Sequence, residues 1–538
     1  MHPVLMRECL SYRLAHSNVV IDGVDVLDFE QYPYIPEILD EDAPLITIVK
    51  GAQMGFTIAC IMKALEWAKR GTMRGIGYYF PTEGEVSDFA KARFGPMMAD
   101  NREMWGRYVE DTDSAALKKI GKTHLYFRGI GQRGGGSALR STSKLKSIPN
   151  DAQVLDEMDE MDASRVDTIR HRMDKSTTPM RVTLSTPTLP GFGVDLDYTK
   201  SDQRVWMWKC VRCNAWTCLE LDYPDCIVEP NNADPYYQCS KCHKPLERNV
   251  GQWVARSTDV LDHRGYWISQ LSSRNQPAKF IVLAAEMAVE SGRHREFQNQ
   301  NLARAYAETD EEITMEQLNA ALLPESKPLR HEGPAALGCD PGKPNWYTVR
   351  VRTSADDSVV IDRGKVSDLD DLDNVWRKYN CEAGVIDKGY DPSKVESFCR
   401  AHPGCYGALY VGGKTSSPDW NHKEYEVKVG RTKLLDDAHR ALIAGRVKHV
   451  RADEFWHTHF VPQMMNLKRA SYVVNERTGE ERAEWVVTGG KKNDHLRHAD
   501  AYAHLALERV GLVKSIQAVA TRAQSRPGHK RRRSVMAL

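Results

Sequence analysis

Short apolar and β-branched runs alternate with helical patterns in two separate stretches of the sequence, which limits the folds that the chain can adopt. The first stretch begins with residues 45–49, followed by a Gly-containing turn and a helical pattern over 58–70. The second begins near residue 335. Strands that alternate with helices form mostly parallel sheets, and such sheets bind ligands at the carboxyl ends of their strands.

Length and composition indicate a large folded protein. A chain of 538 residues is too long for one core, so we expect two or three domains. The formal net charge is +1, so contact with nucleic acid depends on local basic clusters. One such cluster comprises Arg128, Arg133, Arg140, Lys144 and Lys146. The sequence lacks an apolar run long enough to cross a bilayer, and its start does not resemble a signal peptide, which predicts a cytosolic protein.

The segment 50–57, with the sequence KGAQMGFT, lies where a phosphate-binding loop is expected, between a strand and a helix. Its glycines let backbone N–H groups face a phosphate at the helix N-terminus, and Thr57 is suited to bind magnesium. Phosphate loops usually carry lysine directly before that residue, and here the position is Phe56. Taken alone, the segment fits an ordinary strand–turn–helix better than a phosphate loop.

Two further strand ends carry residues suited to ATP hydrolysis. Residues 154–157 end in Asp156, which can hold hydrated magnesium, and Glu157, which can orient and deprotonate the attacking water. The alternative is an acidic surface cluster. Ser185 and Thr186 follow another strand, where a sensor of the γ-phosphate is expected, although a Pro-containing turn explains them as well.

Two CxxC pairs lie in one aromatic-rich segment: Cys210 and Cys213, and Cys239 and Cys242. Four thiolates in tetrahedral array form a closed structural zinc site. The spacer between the pairs is longer than the common one, and Cys218 and His243 are near enough to be alternative ligands. The other reading is that the four cysteines are unrelated buried residues.

The second α/β stretch predicts three successive antiparallel strands and then alternating helices and strands, the order of an RNase H-like fold. Asp340 ends the first strand and Asp387 the fourth, where carboxylates can hold the two divalent cations of a nuclease. Either residue alone is more often a turn aspartate or a helix cap. A late helix supplies a third acid, Asp494, with Asp500 as the alternative, and His495 is a further candidate for metal binding.

In combination, these segments resemble the large terminase subunits of the lambda-like GpA family of phages. The lysine at the head of 50–57, the segment 80–82 with the aromatic and basic residues after it, and 137–141 followed by 154–157 carry the resemblance. It covers most of residues 40–505. It implies that Lys50 neutralises the β- and γ-phosphates. Arg140 is a candidate for a trans-acting or DNA-contacting arginine, and an ordinary surface arginine remains the alternative.

The predicted fold class is α/β, with a P-loop ASCE-type ATPase domain, a zinc-binding insert and an RNase H-like nuclease domain. The expected boundaries are an N-terminal segment at 1–30, the ATPase domain at 31–205, the insert at 206–255, the remaining ATPase and connector at 256–330, the nuclease at 331–510 and a basic tail at 511–538. The residues expected to bind ATP are Lys50, Gly51, Gln53, Gly55, Phe56, Thr57, Asp156, Ser185 and Thr186. The expected catalytic residues are Glu157, Asp340, Asp387 and Asp494.

The resemblance implies ATP-driven translocation of viral duplex DNA into a procapsid and metal-dependent endonucleolytic cutting of concatemeric DNA. The implied cofactors are ATP, Mg²⁺ or Mn²⁺, and structural Zn²⁺. The implied partners are double-stranded DNA, the small terminase subunit and the portal protein, with a homo-oligomeric ring during packaging and no membrane. The implied location is the host cytoplasm, transiently at the portal vertex of the procapsid. Two alternatives remain: an ATP-dependent helicase or repair nuclease without a capsid role, and a non-catalytic zinc-ribbon DNA-binding assembly protein.

Overall fold

The chain forms two compact units, Met1–Ala307 (unit 1) and Glu308–Leu538 (unit 2). The structure, a computed structural model, describes residues 3–21, 25–131, 150–231, 233–291, 293–307, 312–411, 417–475, 480–488 and 493–511. The boundary between the units falls inside the predicted connector at 256–330. Across the described residues, no helix has the length and apolar character needed to cross a membrane.

The strands of unit 1 are β1 (Val20–Ile21), β2 (Asp25–Val26), β3 (Leu45–Lys50), β4 (Gly75–Phe80), β5 (Val109–Ser114), β6 (Leu117–Ile120), β7 (Thr123–Gly129), β8 (Ala152–Asp156), β9 (Met180–Ser185), β10 (Arg204–Lys209), β11 (Trp216–Thr217), β12 (Ile227–Val228), β13 (Tyr236–Tyr237), β14 (Gly251–Val254) and β15 (His263–Ile268). Its α-helices are α1 (Pro3–Glu8), α2 (Leu10–Ala15), α3 (Ile35–Asp40), α4 (Phe56–Arg70), α5 (Glu83–Phe89), α6 (Gly95–Asp100), α7 (Ala163–Arg170), α8 (Gly193–Thr199), α9 (Leu219–Asp222), α10 (Ala278–Ser291) and α11 (His294–Glu296). Short 3₁₀ or π-helical segments are Ala90–Phe94, Gly106–Tyr108, Met158–Glu160, His171–Met173, Gln270–Ser272 and Phe297–Asn301.

The main sheet of unit 1 has eleven strands within the described residues, in the order β11-β10-β15-β3-β9-β8-β4-β7-β6-β5, with β14 paired to β10. The strands from β10 to β7 along this order run parallel, and β5, β6, β11 and β14 are antiparallel additions. Each residue of β8 is buried, as is typical of a central parallel strand that is covered on both faces. Strand β9 therefore separates the phosphate-loop strand β3 from β8, which carries Asp156.

The sheet extends further along the sequence than the predicted ATPase boundary at residue 205. Strands β10 and β14 overlap the ends of the predicted insert, yet both pair within the main sheet. Trp206, Trp208 and Trp253 are buried in the core of unit 1. The aromatic residues that suggested a separate insert thus pack the sheet itself. Within the predicted connector, α10 ends at Ser291 and the π-helical segment ends at Asn301.

The strands of unit 2 are β16 (Ala335–Asp340), β17 (Asn345–Arg352), β18 (Ser358–Val366), β19 (Cys381–Asp387), β20 (Cys405–Val411), β21 (Asp419–Asn421), β22 (Glu426–Gly430), β23 (Val447–His449), β24 (Leu467–Asn475) and β25 (Glu480–Val487). Its α-helices are α12 (Met315–Ala320), α13 (Leu369–Lys378), α14 (Pro392–Ala401), α15 (Arg431–Ile443), α16 (Val461–Met465) and α17 (His495–Ala506), and its short 3₁₀ or π-helical segments are Trp456–Phe460 and Leu507–Arg509.

The main sheet of unit 2 has eight strands within the described residues, in the order β21-β22-β20-β19-β16-β17-β18-β23. Strands β16, β17 and β18 are successive antiparallel neighbours, as the sequence predicts. Strands β19, β20 and β22 continue the sheet in parallel on the other side of β16.

Helix α17 lies directly against β16 because Gly338 leaves room for its backbone. A Cβ atom at Gly338 would lie 2.0 Å from the carbonyl oxygen of Ala499 and 2.2 Å from the nitrogen of Ala503. On the neighbouring strand, the Thr348 hydroxyl donates to the same Ala499 carbonyl at 3.1 Å. This close approach fixes the position of α17, and with it the acids and histidines near its N-terminus.

Replacing Gly338 with alanine is expected to destabilise unit 2, because the new methyl group overlaps the backbone of α17. Overpacking of this kind typically reduces the free energy of unfolding by about 1–3 kcal/mol. Urea unfolding of the full chain measures this loss. Gly511→Ala is the control, since a Cβ there would meet only Pro334 Cγ, at 3.8 Å. Equal unfolding midpoints for the two variants would contradict the packing argument.

Candidate active sites and metal centre

The phosphate loop of unit 1 connects β3 to α4. Gln53 and Gly55 have φ angles of 59° and 81°, so the backbone makes a left-handed turn just before the helix begins. Successive N–H groups in such a turn, together with a helix N-terminus, form a concave site for an anion. At the head of the loop, a Cβ atom on Gly51 would lie 2.9 Å from the carbonyl oxygen of Gln300, so this position requires glycine.

The side chain of Phe56 does not face the loop. It is 1% exposed and stacks on Tyr34, with ring centroids 5.6 Å apart. The aromatic ring belongs to the hydrophobic core, and only the backbone of Phe56 is available to a phosphate. The charge that lysine usually supplies at this position must therefore come from elsewhere.

Lys50, the last residue of β3, supplies a positive charge beside the loop. Its side chain is almost fully buried, and Nζ donates to Glu157 Oε1 at 2.6 Å. Burial lowers the pKa of Lys50, but the charges of Glu157 and Asp156 outweigh burial and hold the pKa above its ordinary value. The ammonium group is therefore charged at neutral pH and close to the catalytic acid.

Asp156 ends β8 and is buried beneath the loop. The hydroxyl of Thr57 donates to Asp156 Oδ1 at 3.3 Å, and the hydroxyl of Tyr78 donates to Oδ2 at 2.8 Å. Burial raises the pKa of Asp156 and the charge of Glu157 raises it further, against the opposing effect of Lys50, to about 6. Thr57 and Asp156 thus meet as expected for a pair that holds a hydrated magnesium ion.

Glu157 has a φ of 56°, which is unusual for a residue other than glycine and costs about 1 kcal/mol or more. This conformation turns its side chain towards the end of β9. There Glu157 Oε2 accepts hydrogen bonds from the Ser185 hydroxyl and from the Thr186 N–H, both at 3.2 Å. The structure therefore brings the two predicted sensor residues into direct contact with the predicted catalytic acid.

The acidic residues after Glu157 do not all lie at the surface. Asp159 is buried and accepts hydrogen bonds from the N–H groups of Thr188, at 2.9 Å, and Val194, at 2.8 Å. It fixes the segment that follows β9, so this acid has a structural role.

Two residues near the phosphate loop have no specific role predicted from the sequence. Tyr78 lies in β4, and its hydroxyl contacts Asp156 although the two are far apart in the sequence. Arg93 lines a cavity of about 310 Å³ together with Asp156 and Glu157. No spacing rule in the sequence points to the contact of Tyr78 with Asp156, because it depends on the pairing of β4 with β8. Arg140 lies outside the described residues.

The four predicted zinc ligands lie together. Their sulfur atoms, those of Cys210, Cys213, Cys239 and Cys242, all lie within 4.8 Å of one another. The distance is 3.8 Å between Cys210 and Cys242 and 3.7 Å between Cys213 and Cys239. Four sulfurs at a Zn–S distance of about 2.3 Å in a tetrahedron are about 3.8 Å apart, so the cage has the size that zinc requires.

Each CxxC pair lies in the same type of backbone turn. In the first, the N–H of Asn214 donates to the Cys210 carbonyl at 2.9 Å, and in the second the N–H of His243 donates to the Cys239 carbonyl at 3.0 Å. Asn214 and His243 have φ angles of 59° and 54°. His243 thus turns the chain after the second pair and is not a member of the sulfur cluster.

The lowered pKa of Cys239 and the position of Cys218 favour these four cysteines as the ligand set. Burial raises the pKa of Cys239, but N–H groups of Cys242 and Lys241 donate to its sulfur and bring the pKa to about 6. A thiolate is the form that binds metal. Cys218 is buried elsewhere, with its sulfur 3.8 Å from Glu220 Oε2, so this alternative ligand is not in the cluster.

In unit 2, Asp340 and Asp387 end neighbouring parallel strands. The residues before them, Cys339 and Ile386, are Cα partners in the β16–β19 pair. Asp340 Oδ2 contacts His495 Nδ1 at 2.7 Å, and Asp387 Oδ2 accepts a hydrogen bond from the Tyr502 hydroxyl. Burial raises the pKa of Asp340 against the opposing effect of His495.

Helix α17 carries the third predicted acid at its N-terminus. Asp494, His498 and Tyr502 are spaced four residues apart and share one face of the helix. Asp494 Oδ2 lies 3.2 Å from His498 Nε2, and His498 Nδ1 lies 2.8 Å from the Tyr410 hydroxyl. This face, with His495 beside it, is directed towards the ends of β16, β19 and β20.

Asp500, the alternative third acid, points elsewhere. It is buried and forms a two-oxygen ion pair with Arg350, in which Nε donates to Oδ1 at 3.0 Å. Burial raises the pKa of Asp500, but Arg350 outweighs this effect and lowers it. Both carboxylate oxygens are already engaged by a fully buried arginine, so the geometry does not bring Asp500 to the predicted metal site.

The acids of unit 2 are more widely spaced than the cysteines. Among the described residues, the sulfur cluster is the one group of three or more His, Cys, Asp or Glu side chains whose ligand atoms all lie within 4.8 Å of one another. Asp340, Asp387 and Asp494 thus do not form a closed cage for a single ion. Wider spacing is compatible with a pair of ions, which lie about 3.5–4 Å apart in two-metal sites.

Unit 1 has a largely parallel sheet in which β9 lies between the phosphate-loop strand β3 and the acid-bearing strand β8. This is the strand arrangement expected for an ASCE-type ATPase. Residues 26–265 match the family model described as "Phage terminase large subunit gpA, ATPase domain". Over these residues the chain is similar to the ATPase domain of phage terminase large subunits of the gpA type. The resemblance seen in the sequence is confirmed.

Solved structures extend the likeness to most of the chain at the level of the fold. The crystal structure of the HK97 bacteriophage large terminase has a TM-score of 0.51 and 11% identity, and the match covers 92% of this chain and 100% of that chain. A structure of the large terminase from a thermophilic bacteriophage covers 86% of this chain and 93% of that chain, at 11% identity and a TM-score of 0.31. Comparison with curated proteins gives no match.

Replacing Lys50 with alanine is expected to reduce the rate of ATP hydrolysis by at least about 100-fold, as is typical when a preorganised charge is lost from a reacting centre. Steady-state phosphate release measures the rate. Phe56→Leu is the control, because only the buried ring changes, and it is expected to keep most of the activity. If Phe56→Leu lost turnover while Lys50→Ala kept it, the assignment of the phosphate-binding charge would be wrong.

Proposed function

We propose that this chain is a DNA-packaging motor that moves viral duplex DNA into a procapsid by hydrolysing ATP and cuts concatemeric DNA with a metal-dependent nuclease in unit 2. The observation that carries the proposal is the meeting of Lys50, Thr57, Asp156, Glu157 and Ser185 in a domain of the terminase gpA family. The HK97 likeness supports the extension to unit 2 at the level of the fold.

The contacts of Glu157 suggest how nucleotide binding activates hydrolysis. Glu157 holds Lys50 through one oxygen and the end of β9 through the other. An entering β,γ-phosphate competes for the Lys50 ammonium group, and the released carboxylate can orient and deprotonate water. Magnesium, held by Thr57 and Asp156, would neutralise phosphate charge. Ser185 and Thr186, bonded to Glu157, would transmit the change to β9.

For unit 2, we propose an RNase H-like nuclease whose metal-binding residues are Asp340, Asp387 and Asp494. Divalent cations bound there would activate water and stabilise the leaving oxygen of a phosphodiester. Tyr502 donates to one oxygen of Asp387 and the Gly389 N–H donates to the other at 2.6 Å, so both fix the orientation of this carboxylate. His498 contacts one oxygen of Asp494 and orients it. His495 restrains Asp340 and can hold a proton next to it, since the hydrogen bond to Asp340 raises the pKa of His495.

The cysteine cluster is proposed to hold a structural zinc ion. The sulfur spacing supports this assignment, and so do the two matching turns. Four thiolates leave no position for a reacting water, so the ion would act on stability and not on catalysis. It would join two loops that extend from β10 and β13.

The proposed partners are duplex DNA, the small terminase subunit and the portal protein, with several copies of the chain assembled in a ring. The proposed location is the host cytoplasm and, transiently, the portal vertex of the procapsid. A helicase or repair nuclease without a capsid role is not favoured by the terminase family match. A non-catalytic assembly protein does not account for the buried charges gathered around Asp156.

The nuclease proposal predicts that Asp387→Asn loses Mn²⁺-dependent plasmid cleavage and keeps ATP turnover. Tyr502→Phe is expected to reduce cleavage or metal affinity by about 10–100-fold, the usual effect of removing a partner that orients a metal ligand. Asp500→Asn instead is expected to lower the thermal stability of unit 2, because it leaves Arg350 buried without a counter-charge. Cleavage by Asp387→Asn at the wild-type rate would remove the basis for this site.

The zinc proposal predicts about one zinc ion per chain by elemental analysis. Cys239→Ala is expected to lose the metal and to lower the melting temperature of unit 1, because metal binding contributes to folding. Cys218→Ala, which changes a nearby buried cysteine outside the cluster, is expected to retain zinc. Loss of zinc from Cys218→Ala but not from Cys239→Ala would show that the ligand set is wrong.

A further inference from the structure

An unpaired lysine lies close to the acids of unit 2, at the same end of the sheet. Lys365 is near the carboxyl end of β18, and β18 runs parallel to β16 because each is antiparallel to β17. Lys365 is exposed. Within the described part of the chain, no carboxylate oxygen is recorded within 4.0 Å of its ammonium group, whereas Lys388 and Lys433 both form ion pairs.

The ammonium group of Lys365 is held in place without being neutralised. It donates to His459 Nε2 at 3.1 Å and lies 5.6 Å from the centroid of the Trp346 ring. An ammonium group has three N–H donors, so two remain for a ligand. A group that is already oriented loses less side-chain entropy when it binds.

The Trp346 ring also connects Lys365 to the proposed metal-binding acids through His495. Trp346 stacks on His495 with an interplanar angle of 3° and a centroid distance of 6.1 Å, and His495 contacts Asp340. The register of the strands sets the separation between Asp340 and Lys365, because Asp340 pairs with Trp346 and Trp346 pairs with Lys365. Two strand spacings put the Cα atoms of Asp340 and Lys365 about 10 Å apart.

This distance corresponds to about one or two steps of the DNA backbone, because successive phosphates wind around the outside of the duplex and lie further apart than the axial rise of about 3.4 Å per nucleotide. The acids repel the DNA backbone, so a nearby fixed cation compensates for that repulsion. We propose that Lys365, held by Trp346 and His459, binds a backbone phosphate of duplex DNA about one or two nucleotides from the bond to be cut. The inference rests on the proposed nuclease function and adds the residue that positions the strand.

The test compares the full-length wild type with Lys365→Ala, Lys365→Arg and Lys378→Ala. Lys378 is a matched control: it is exposed, lacks a recorded carboxylate partner among the described residues and lies 4.8 Å from the Tyr379 ring. It precedes β19, whereas Asp387 ends that strand, so the length of β19, about 20 Å, separates the two. Urea unfolding of each variant reports that unit 2 is folded, and ATP turnover reports that unit 1 is folded.

Binding of a labelled 30-base-pair duplex is measured by fluorescence anisotropy at several salt concentrations, with Ca²⁺ in place of Mn²⁺ to prevent cutting. Loss of one phosphate contact reduces the slope of log affinity against log salt by about 0.9. Lys365→Ala is expected to show this reduction, and Lys365→Arg and Lys378→Ala are expected to keep the wild-type slope. In Mn²⁺, Lys365→Ala is expected to raise KM for cleavage with little change in kcat.

Equal salt slopes for Lys365→Ala and Lys378→Ala would overturn the inference. If wild type cleaves DNA and the slopes are equal, the nuclease proposal stands and only the role of Lys365 fails. If wild type does not cleave under any metal condition and Lys365→Ala still lowers the slope, the phosphate contact stands and the nuclease proposal fails.

Discussion

Parallel pairing of strands determines where the chemistry of this protein lies. In unit 1, β3, β8 and β9 run in the same direction, so Lys50, Asp156 and Ser185 end at one edge although they are far apart in the sequence. In unit 2, β16 and β19 do the same for Asp340 and Asp387. At such an edge, polar side chains extend beyond the last backbone hydrogen bonds and can reach a ligand.

Bringing charges to a buried edge is costly unless each one has a partner. Lys50 and Glu157 offset each other, and Tyr78 and Thr57 donate to Asp156. In the proposed mechanism, phosphate and magnesium would replace the partners in unit 1, and the site would respond to nucleotide in this way. Arg350 and Asp500 in unit 2 are different, because both are fully buried and bond each other through two contacts, so this pair stabilises the packing of α17.

The loops that carry the cysteines illustrate a second way to stabilise structure. The strands β11, β12 and β13 have only two residues each, which is too few to form an independent sheet. A sulfur cage of the size required by zinc closes these loops, while tryptophans of β10 and β14 pack into the core below. A metal is a common means of stabilising a segment that cannot bury enough apolar surface.

The sequence by itself determined the order of strands and helices, the CxxC pairs and the acids at strand ends, because hydrophobic periodicity and local spacing are written along the chain. It also carried the resemblance to gpA-type terminases, through the displaced lysine together with the segments at 80–82, 137–141 and 154–157. Only the tertiary structure decided that Phe56 is a core residue, that Tyr78 contacts Asp156, and that β10 and β14 belong to the main sheet. It also showed that Asp494 lies on the helix face directed towards the other predicted metal ligands, whereas Asp500 pairs with Arg350. The spacing of the two acids in the sequence does not reveal this difference. These outcomes depend on which strands become neighbours and on which side of a helix faces a glycine such as Gly338. Both are set by packing between segments that are distant in the sequence.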